Sequence, residues 1–496
     1  MKKKIQIIDT TLRDAHQCLW ATRMTTAMML PVASEIDRIG FHALDFMGMI
    51  QFDVCVRYLR EDPWERIRQV RRHVVNTPLK AAIRSMSLVG FDMLAEDVNL
   101  LWVERLVANG IRQVVAFDAL ADLDNIVPQL THAKRLGATT IGALVFCESP
   151  VHPDEMYAAK ARELVARANV DAIMIKDSGG LLTPDRIRTL VPAMKRAIGP
   201  NVPLQLHSHC TTGLAPLVYL EGVKQGVDQL DCAIDPLANG PAQPATQSTV
   251  RNLRAMGYNV DVDDALIDTV GAHFRRVARQ EGKPLGVPIA YDAFHYQHQV
   301  PGGMLTNLRF QLGEAGLQDK YDRVLAEIAQ IRRELGWPIM VTPFAQLVAT
   351  QAVLNVVQGE RYKVVPDEVR KYALGYYGKL LAPVEPDVLD RIIANSSPSI
   401  SMQPVKPAPA VEALRKKYPD ASDDERLLRF MFAGSQVDDM LAAGPIVTNY
   451  RFDTPLASLM AGLASRPKVR HLSVKKGSFH LSVSQHTPAP AQEPSR

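Results

Sequence analysis

Short apolar runs recur through the first half of the chain, and each is followed by a stretch whose apolar residues return every three or four positions. The runs are Ile5–Asp9, Ala43–Phe46, Leu79–Ile83, Gln113–Phe117, Thr139–Phe146, Ala172–Ile175, Pro203–His207 and Gln229–Ile234. Short, nearly continuous apolar runs read as strands buried on both faces, the signature of a parallel sheet. Their starts lie roughly 25–40 residues apart, the length of one βα unit. The segments between them, such as Thr25–Ile39, Ala95–Asn109 and Pro184–Ile198, carry helical spacing. Gly40, Gly110, Gly137, Gly199 and Gly226 stand where such helices should end. Eight such units predict a closed α/β architecture, a (β/α)₈ TIM barrel over residues 4–268. A doubly wound open sheet is the alternative, but it normally uses fewer strands, and no Gly-rich phosphate-binding fingerprint follows the first run.

Beyond residue 268 strand-like runs thin out and helical spacing dominates, at Lys320–Leu335, Phe344–Gln358, Pro366–Tyr376 and Pro386–Asn395. This predicts a second, mostly helical domain at 269–395. A Pro/Ser-rich linker follows at 396–410. The next segment, 411–484, combines helical spacing over Leu414–Ala443 with alternation around Gly477-Ser478 that predicts a hairpin within His471–Val483. The last stretch, 485–496, is rich in Pro and Ala and is expected to be a disordered tail.

Charge and cysteine usage narrow the classes. The chain carries 57 Lys and Arg against 53 Asp and Glu, a formal net charge of +4. So small an excess gives no argument for nucleic acid, and the basic start Met1–Lys4 runs straight into a strand. The five cysteines, Cys18, Cys55, Cys147, Cys210 and Cys232, are odd in number and form no C-x-x-C pair. A disulfide framework is not expected, and a reducing cytoplasm suits them. No signal-peptide h-region and no membrane-length apolar stretch is present.

Three features fall at the C-terminal ends of predicted barrel strands, where barrel enzymes build their sites. His207-Ser208-His209 spaces two imidazoles so that both point to one side of a strand, able to share one ion. Hydrogen-bonded histidines without a metal are the alternative. Asp14 lies just past the first strand, where a carboxylate faces the barrel mouth; a cap or ion pair is its ordinary role. Lys176-Asp177 ends the sixth strand. A buried lysine is costly while charged, and it escapes by a depressed pKa, by capturing CO₂ as a carbamate, or by pairing with an acid. Mixed nitrogen and oxygen donors suit zinc, manganese or cobalt.

Thr11-Leu-Arg-Asp-Ala-His-Gln17, Ala21-Thr-Arg-Met24, Glu61-Asp-Pro-Trp-Glu-Arg66, Phe117-Asp-Ala119, Ser149-Pro-Val-His152, Ile175-Lys-Asp177 and Leu206-His-Ser-His-Cys-Thr-Thr-Gly213 resemble the carboxyltransferase family of biotin-dependent pyruvate carboxylases, oxaloacetate decarboxylases and transcarboxylases. Gln299-Val-Pro-Gly-Gly-Met-Leu305, Val341-Thr-Pro343 and Gln351-Ala-Val-Leu-Asn-Val356 extend the likeness into the helical half, which resembles that family's funnel over the barrel mouth. The resemblance implies movement of CO₂ between carboxybiotin and a keto acid such as pyruvate or oxaloacetate. It implies a divalent metal held by Asp14, carboxylated Lys176, His207 and His209. It also implies that Arg13 and Gln17 hold the keto acid, with Lys176, Arg13 and Gln17 in the catalytic set. No Ala-Met-Lys-Met-like sequence occurs, so the biotin carrier and biotin carboxylase are expected to be separate chains, and the family suggests a homodimer or larger complex.

Three positions depart from the family's pattern. Met47-Gly-Met-Ile-Gln-Phe-Asp53 replaces a run with smaller side chains. Val115 stands where the family has an arginine. Pro241, in Asp235-Pro-Leu-Ala-Asn-Gly-Pro-Ala-Gln-Pro244, stands where pyruvate carboxylases have a proton-shuttling threonine. Two further readings therefore stand beside carboxyl transfer: a biotin-independent metal-dependent lyase or aldolase on the same barrel, and a non-catalytic paralogue within a carboxylase complex.

Overall fold

The computed structural model describes residues 3–453 and 471–484, with Leu456, Leu459 and Gly462 between them. All eight runs are strands: β1 (Gln6–Asp9), β2 (Ala43–Gly48), β3 (Leu79–Arg84), β4 (Gln113–Phe117), β5 (Thr139–Val145), β6 (Ala172–Asp177), β7 (Leu204–Ser208) and β8 (Gln229–Cys232). Each pairs in parallel with the next. β8 returns to β1 in register from Gln6–Gln229 to Asp9–Cys232, so the sheet closes into a barrel.

Helices cover the outside. Pro184–Ile198 starts at Thr183, whose hydroxyl accepts from the Arg186 N–H at 3.1 Å, a cap for one of the free donors of the first turn. Glu96–Asn109 and Ala215–Gln225 end at Gly110 and Gly226 with φ of +122° and +116°. Side chains rarely adopt that backbone, which is why glycine stands there. Thr25–Ile39 is not one helix. Pro31 cannot continue the hydrogen-bond ladder, and the segment splits into Thr26–Met29, a tight turn at Leu30–Val32 and Ala33–Arg38.

Inside the barrel, alternation puts Ala172, Met174 and Lys176 of β6 on one face. Ala172 and Met174 pack with Ala82, Val115, Ile141 and Ala143. The rest of the interior is unusually polar. Lys80, Gln205 and Asp231 are buried, and each needs a partner to be tolerated there.

The second half is helical, as expected: Gly302–Glu314, Tyr321–Glu334, Phe344–Gln358, Asp367–Ala373 and Pro386–Asn395. Its core, built on Val324, Ile328, Ile331, Phe344, Val348 and Tyr372, is continuous with Ala119, Leu120, Val145 and Cys147. Those four lie at the C-terminal ends of β4 and β5, so the helical layer sits over that end of the barrel. A buried carboxylate ties the layer together: Arg361 donates to both Glu334 oxygens at 2.6 and 2.8 Å, and the Tyr362 hydroxyl donates to Glu334 at 2.8 Å.

Leu414–Ala443 is three helices rather than one: Val411–Lys417, Asp423–Met431 and Gly434–Ala442. Pro419 interrupts the first junction, and Phe432 is extended at the second. Asp424 joins this segment to the barrel flank through Arg68 at 3.1 Å and Arg105 at 2.7 Å. Residues Met1–Tyr450 make one compact unit and Arg451–Arg496 a second. Within the second, His471–Lys476 and Phe479–Ser484 (β9 and β10) form an antiparallel hairpin in which Lys476 pairs with Phe479 across a two-residue turn. The tail at 485–496 lies outside the described residues. No helix among the described residues is long and apolar enough to cross a membrane.

Candidate metal centre at the C-terminal end of the barrel

The barrel brings Asp14, His207 and His209 to one point. Asp14 sits in a π-helical turn, Thr11–Ala15, immediately after β1. His207 is the penultimate residue of β7, and His209 follows the strand, two positions on and on the same side. The His207 Nε2 and His209 Nε2 atoms are each 3.1 Å from Asp14 Oδ2, and 3.1 Å from each other. All three residues are buried. Lys176, at the end of β6, puts Nζ 3.3 Å from His207 Nε2 and over the face of Phe117.

The outer nitrogens of both rings are fixed by acceptors. His207 Nδ1 lies 2.8 Å from Asp231 Oδ2, and His209 Nδ1 lies 2.6 Å from the Pro241 carbonyl. Nδ1 is thereby the protonated nitrogen of each neutral ring, and the Nε2 lone pairs converge with the Asp14 carboxylate. Asp231 is itself held by Gln205 and by Lys80, whose Nζ is 3.6 Å away.

Burial would raise the Asp14 carboxyl. The Arg13 guanidinium and His209, with hydrogen bonds from His207 and His209, instead hold it well below the usual carboxylate range. Burial opposes charge on His209, but Asp14 outweighs it and pushes the imidazole up to about 10. That proton is the one a divalent ion must displace. Burial depresses Lys176, partly countered by Asp14, which favours its neutral amine. A carboxylate beside two imidazoles, with each ring's far side satisfied, fits a divalent cation.

Arg13 lies beside this cluster. It donates from Nη1 to Asp14 Oδ1 at 2.7 Å and from Nε to Asp45 Oδ2 at 2.8 Å, with Nη2 also on Asp45. Three of its five donors are used, leaving two for a ligand. Gln17 accepts from Gln51 Nε2 at 3.3 Å, and Gln51 also donates to the Arg13 carbonyl at 3.2 Å. Gln51 therefore orders the Gln17 side chain and ties it to the Arg13 backbone, while Asp14 and Asp45 order the Arg13 side chain. Val115 packs in the apolar patch of the barrel interior with Ala82, Ile141, Ala143 and Met174.

Sequence reasoning missed Asp45, Lys80, Asp231 and Gln243. The first three had a signal: a charge in the middle of an otherwise apolar strand is tolerated only against a partner. Gln243, in the loop after β8, had none. It is fully buried, and its Nε2 donates to Asp14 Oδ2 at 2.7 Å.

Comparison with known proteins returns two family profiles. One, described as HMGL-like, matches residues 4–271. The other, a conserved carboxylase domain, matches residues 296–442. The chain is 43% identical over 402 residues to a pyruvate carboxylase subunit of Methanocaldococcus jannaschii, covering 81% of this chain and 70% of that one. It is 34% identical over 387 residues to the methylmalonyl-CoA carboxyltransferase 5S subunit of Propionibacterium freudenreichii subsp. shermanii, covering 78% and 76% respectively. Among solved structures, the carboxyl transferase domain of Rhizobium etli pyruvate carboxylase with oxamate and biotin is similar with a TM-score of 0.80 at 26% identity, over 89% of this chain and 78% of that one.

Proposed function

Because this chain belongs to the carboxyltransferase family of biotin-dependent carboxylases, we propose that it moves CO₂ between carboxybiotin, delivered by a separate carrier chain, and a keto acid of the pyruvate or oxaloacetate kind. What carries the reading is the convergence of Asp14, His207 and His209 at mutual distances of 3.1 Å, with a buried Lys176 beside them. In this reading Asp14, His207, His209 and carboxylated Lys176 hold a zinc, manganese or cobalt ion. Such an ion polarises a keto oxygen and so eases loss of a proton from the neighbouring carbon.

The chain's own residues supply the rest. Burial lowers the Lys176 pKa, and in its amine form Nζ adds to the carbon of CO₂ and loses a proton, giving a carbamate oxygen where an ammonium would repel the ion. Arg13 offers its two spare N–H donors to the carboxylate of the keto acid, a pairing that suits a planar fork. Asp45 and Asp14 hold the guanidinium in place meanwhile. Gln17, oriented by Gln51, presents its amide to the same substrate. The helical layer over the barrel end keeps bulk water from these groups. Biotin carrier and biotin carboxylase are separate partners, the chain itself is a homodimer or part of a larger complex, and the reaction takes place in the cytoplasm.

The test is decarboxylation of oxaloacetate by the purified chain with a biotinylated carrier. Carrier-dependent pyruvate release, lost in Lys176→Ala, supports the proposal. Pro241 favours one competing reading, a paralogue that keeps the ion and has lost transfer. Bound metal without carrier-dependent turnover in either direction would establish that reading instead.

A further inference from the structure

Gln51 is held beside Arg13 and Gln17 in an orientation that leaves one of its own atoms unsatisfied. It lies in Met49–Val54, the short helix that follows β2, and its side chain is fully buried. Nε2 donates to the Arg13 carbonyl at 3.2 Å and to Gln17 Oε1 at 3.3 Å. Oε1 is buried with no hydrogen-bond partner among the described residues. Buried polar atoms are ordinarily paired, so this orphan calls for a reason.

The reason lies in the polarity of the neighbours. A backbone carbonyl only accepts. Turning the Gln51 amide over would set its oxygen against the Arg13 carbonyl, so Nε2 has to stay where it is. Its two hydrogens then serve two acceptors, and the second acceptor is Gln17 Oε1. A glutamine amide has nearly the same shape either way round, and this contact decides for Gln17. Its oxygen turns inward to Gln51, and Nε2 with its two hydrogens is left for a ligand. Gly48 makes room for the arrangement. Its backbone is extended, with φ of −152°, and a Cβ there would stand 2.9 Å from Gln51 Oε1, the next nearest atom being Arg13 Cδ at 3.5 Å. Gly48 and Gln51 both belong to the run Met47–Asp53 in which this chain departs from the family's pattern.

Resting on the keto-acid reading above, we propose that Gln51 is a positioning residue that fixes which end of the Gln17 amide meets the substrate. The chain of hydrogen bonds has one direction, from the Arg13 carbonyl through Gln51 to Gln17 and on to the keto acid. At neutral pH the carboxylate and keto oxygens of pyruvate or oxaloacetate are acceptors only. Gln17 meets them with N–H donors, alongside the spare donors of Arg13. Polarity set by one backbone carbonyl is thus passed to the substrate through two buried or half-buried amides.

The test uses the full chain with a saturating biotinylated carrier, read as steady-state decarboxylation of oxaloacetate, together with pyruvate binding by calorimetry. Gln51→Glu keeps the shape of the side chain and removes its donors. Ionised, the carboxyl has none; protonated, it has one, which the Arg13 carbonyl takes. Gln17 then turns Nε2 inward and its oxygen toward the substrate. The oxaloacetate KM is expected to rise about 10–100-fold, with kcat changed by less than about threefold, because the contact holds substrate and transition state alike. Gln51→Leu fills the space without polarity, leaves Gln17 free to face either way, and is expected to raise KM by about 3–10-fold. It repeats the test if the Glu variant does not fold. Gly48→Ala alters neither amide but displaces Gln51 Oε1, and it should move KM in the same direction. In a Gln17→Leu background, Gln51→Leu should add nothing, because its effect passes through Gln17. A KM unchanged in the folded Gln51 variants overturns the proposal. So does a loss confined to kcat, or a rise in KM of the same factor whether or not Gln17 is present. If the native chain neither turns over oxaloacetate with the carrier nor binds pyruvate, the parent reading fails and this inference with it. If Gln17→Leu raises KM and Gln51→Glu does not, only this inference fails.

Discussion

Replacing Asp231 by asparagine changes almost no volume but removes the charge on which two buried neighbours depend. Asp231 is fully buried, accepts from His207 Nδ1 at 2.8 Å and sits 3.6 Å from Lys80 Nζ. Burial alone would raise its carboxyl, but Lys80, His207 and Gln205 instead bring it down to about 2 from 3.8. A folded-state value below the unfolded one means that the ionised form stabilises the fold above the usual aspartate range, and that this contribution is lost as pH falls through about 2. The shift corresponds to about 2 kcal/mol at neutral pH. The variant forgoes that and leaves Lys80 without the carboxylate it faces, so a total loss of about 2–4 kcal/mol is expected. A second effect is separate. His207 loses the carboxylate that fixes its tautomer, and such outer partners are worth about 10–100-fold in metal affinity. Urea unfolding of the metal-free chain reads the first effect, and a zinc competition titration reads the second. Adding Lys80→Met removes the orphaned ammonium, which should return much of the stability and none of the zinc affinity. A zinc Kd in Asp231→Asn equal to the native value, or one restored by Lys80→Met, refutes the reasoning.

His207→Ala should lose most of the bound zinc while the barrel still folds, read by elemental analysis beside circular dichroism; full occupancy removes His207 from the ligand set. Glu334→Gln should flatten the acid limb of the stability profile. Arg361, Tyr362 and Gln330 overcome the effect of burial and hold the Glu334 carboxyl below the usual range. Its contribution is thus present above that range and lost as pH falls through the depressed value, so native and variant chains should converge in urea midpoint at low pH, and parallel profiles would contradict this.

The strands were legible because a parallel barrel buries both faces of every strand, which leaves continuous apolar runs in the sequence. The clustering of Asp14, Lys176, His207 and His209 was legible because the fold places strand ends together, so each needed only a position and a chemistry. The supporting residues were not, since their partners are remote in sequence. Lys80 meets Asp231, and Arg13 meets Asp45, across the closed sheet. A buried charge within a run announces that a partner exists but not which one it is. Gln243 carried no signal, because its partners, Asp14, His207 and His209, lie at the ends of β1 and β7, remote in sequence. Thr25–Ile39 and Leu414–Ala443 were legible as helical but not as broken: apolar spacing continues through Pro31, Pro419 and the extended Phe432 while the backbone hydrogen bonds do not.

Pro241 is the departure that bears most on chemistry, and the loop around it divides its duties between backbone and side chains. The Pro241 carbonyl orients His209, the Ala242 carbonyl accepts from the Cys210 N–H at 2.8 Å, and Asn239 N–H donates to the Gln243 carbonyl at 2.8 Å. These contacts use atoms every residue has, so a change of side chain at 241 leaves the orientation of His209 intact. The Gln243 side chain, by contrast, reaches the ion site directly. The loop thus supports the Asp14, His207 and His209 cluster without calling on the side chain at 241. A side chain without a hydroxyl at 241 therefore leaves the contacts that hold Asp14 and His209 in place.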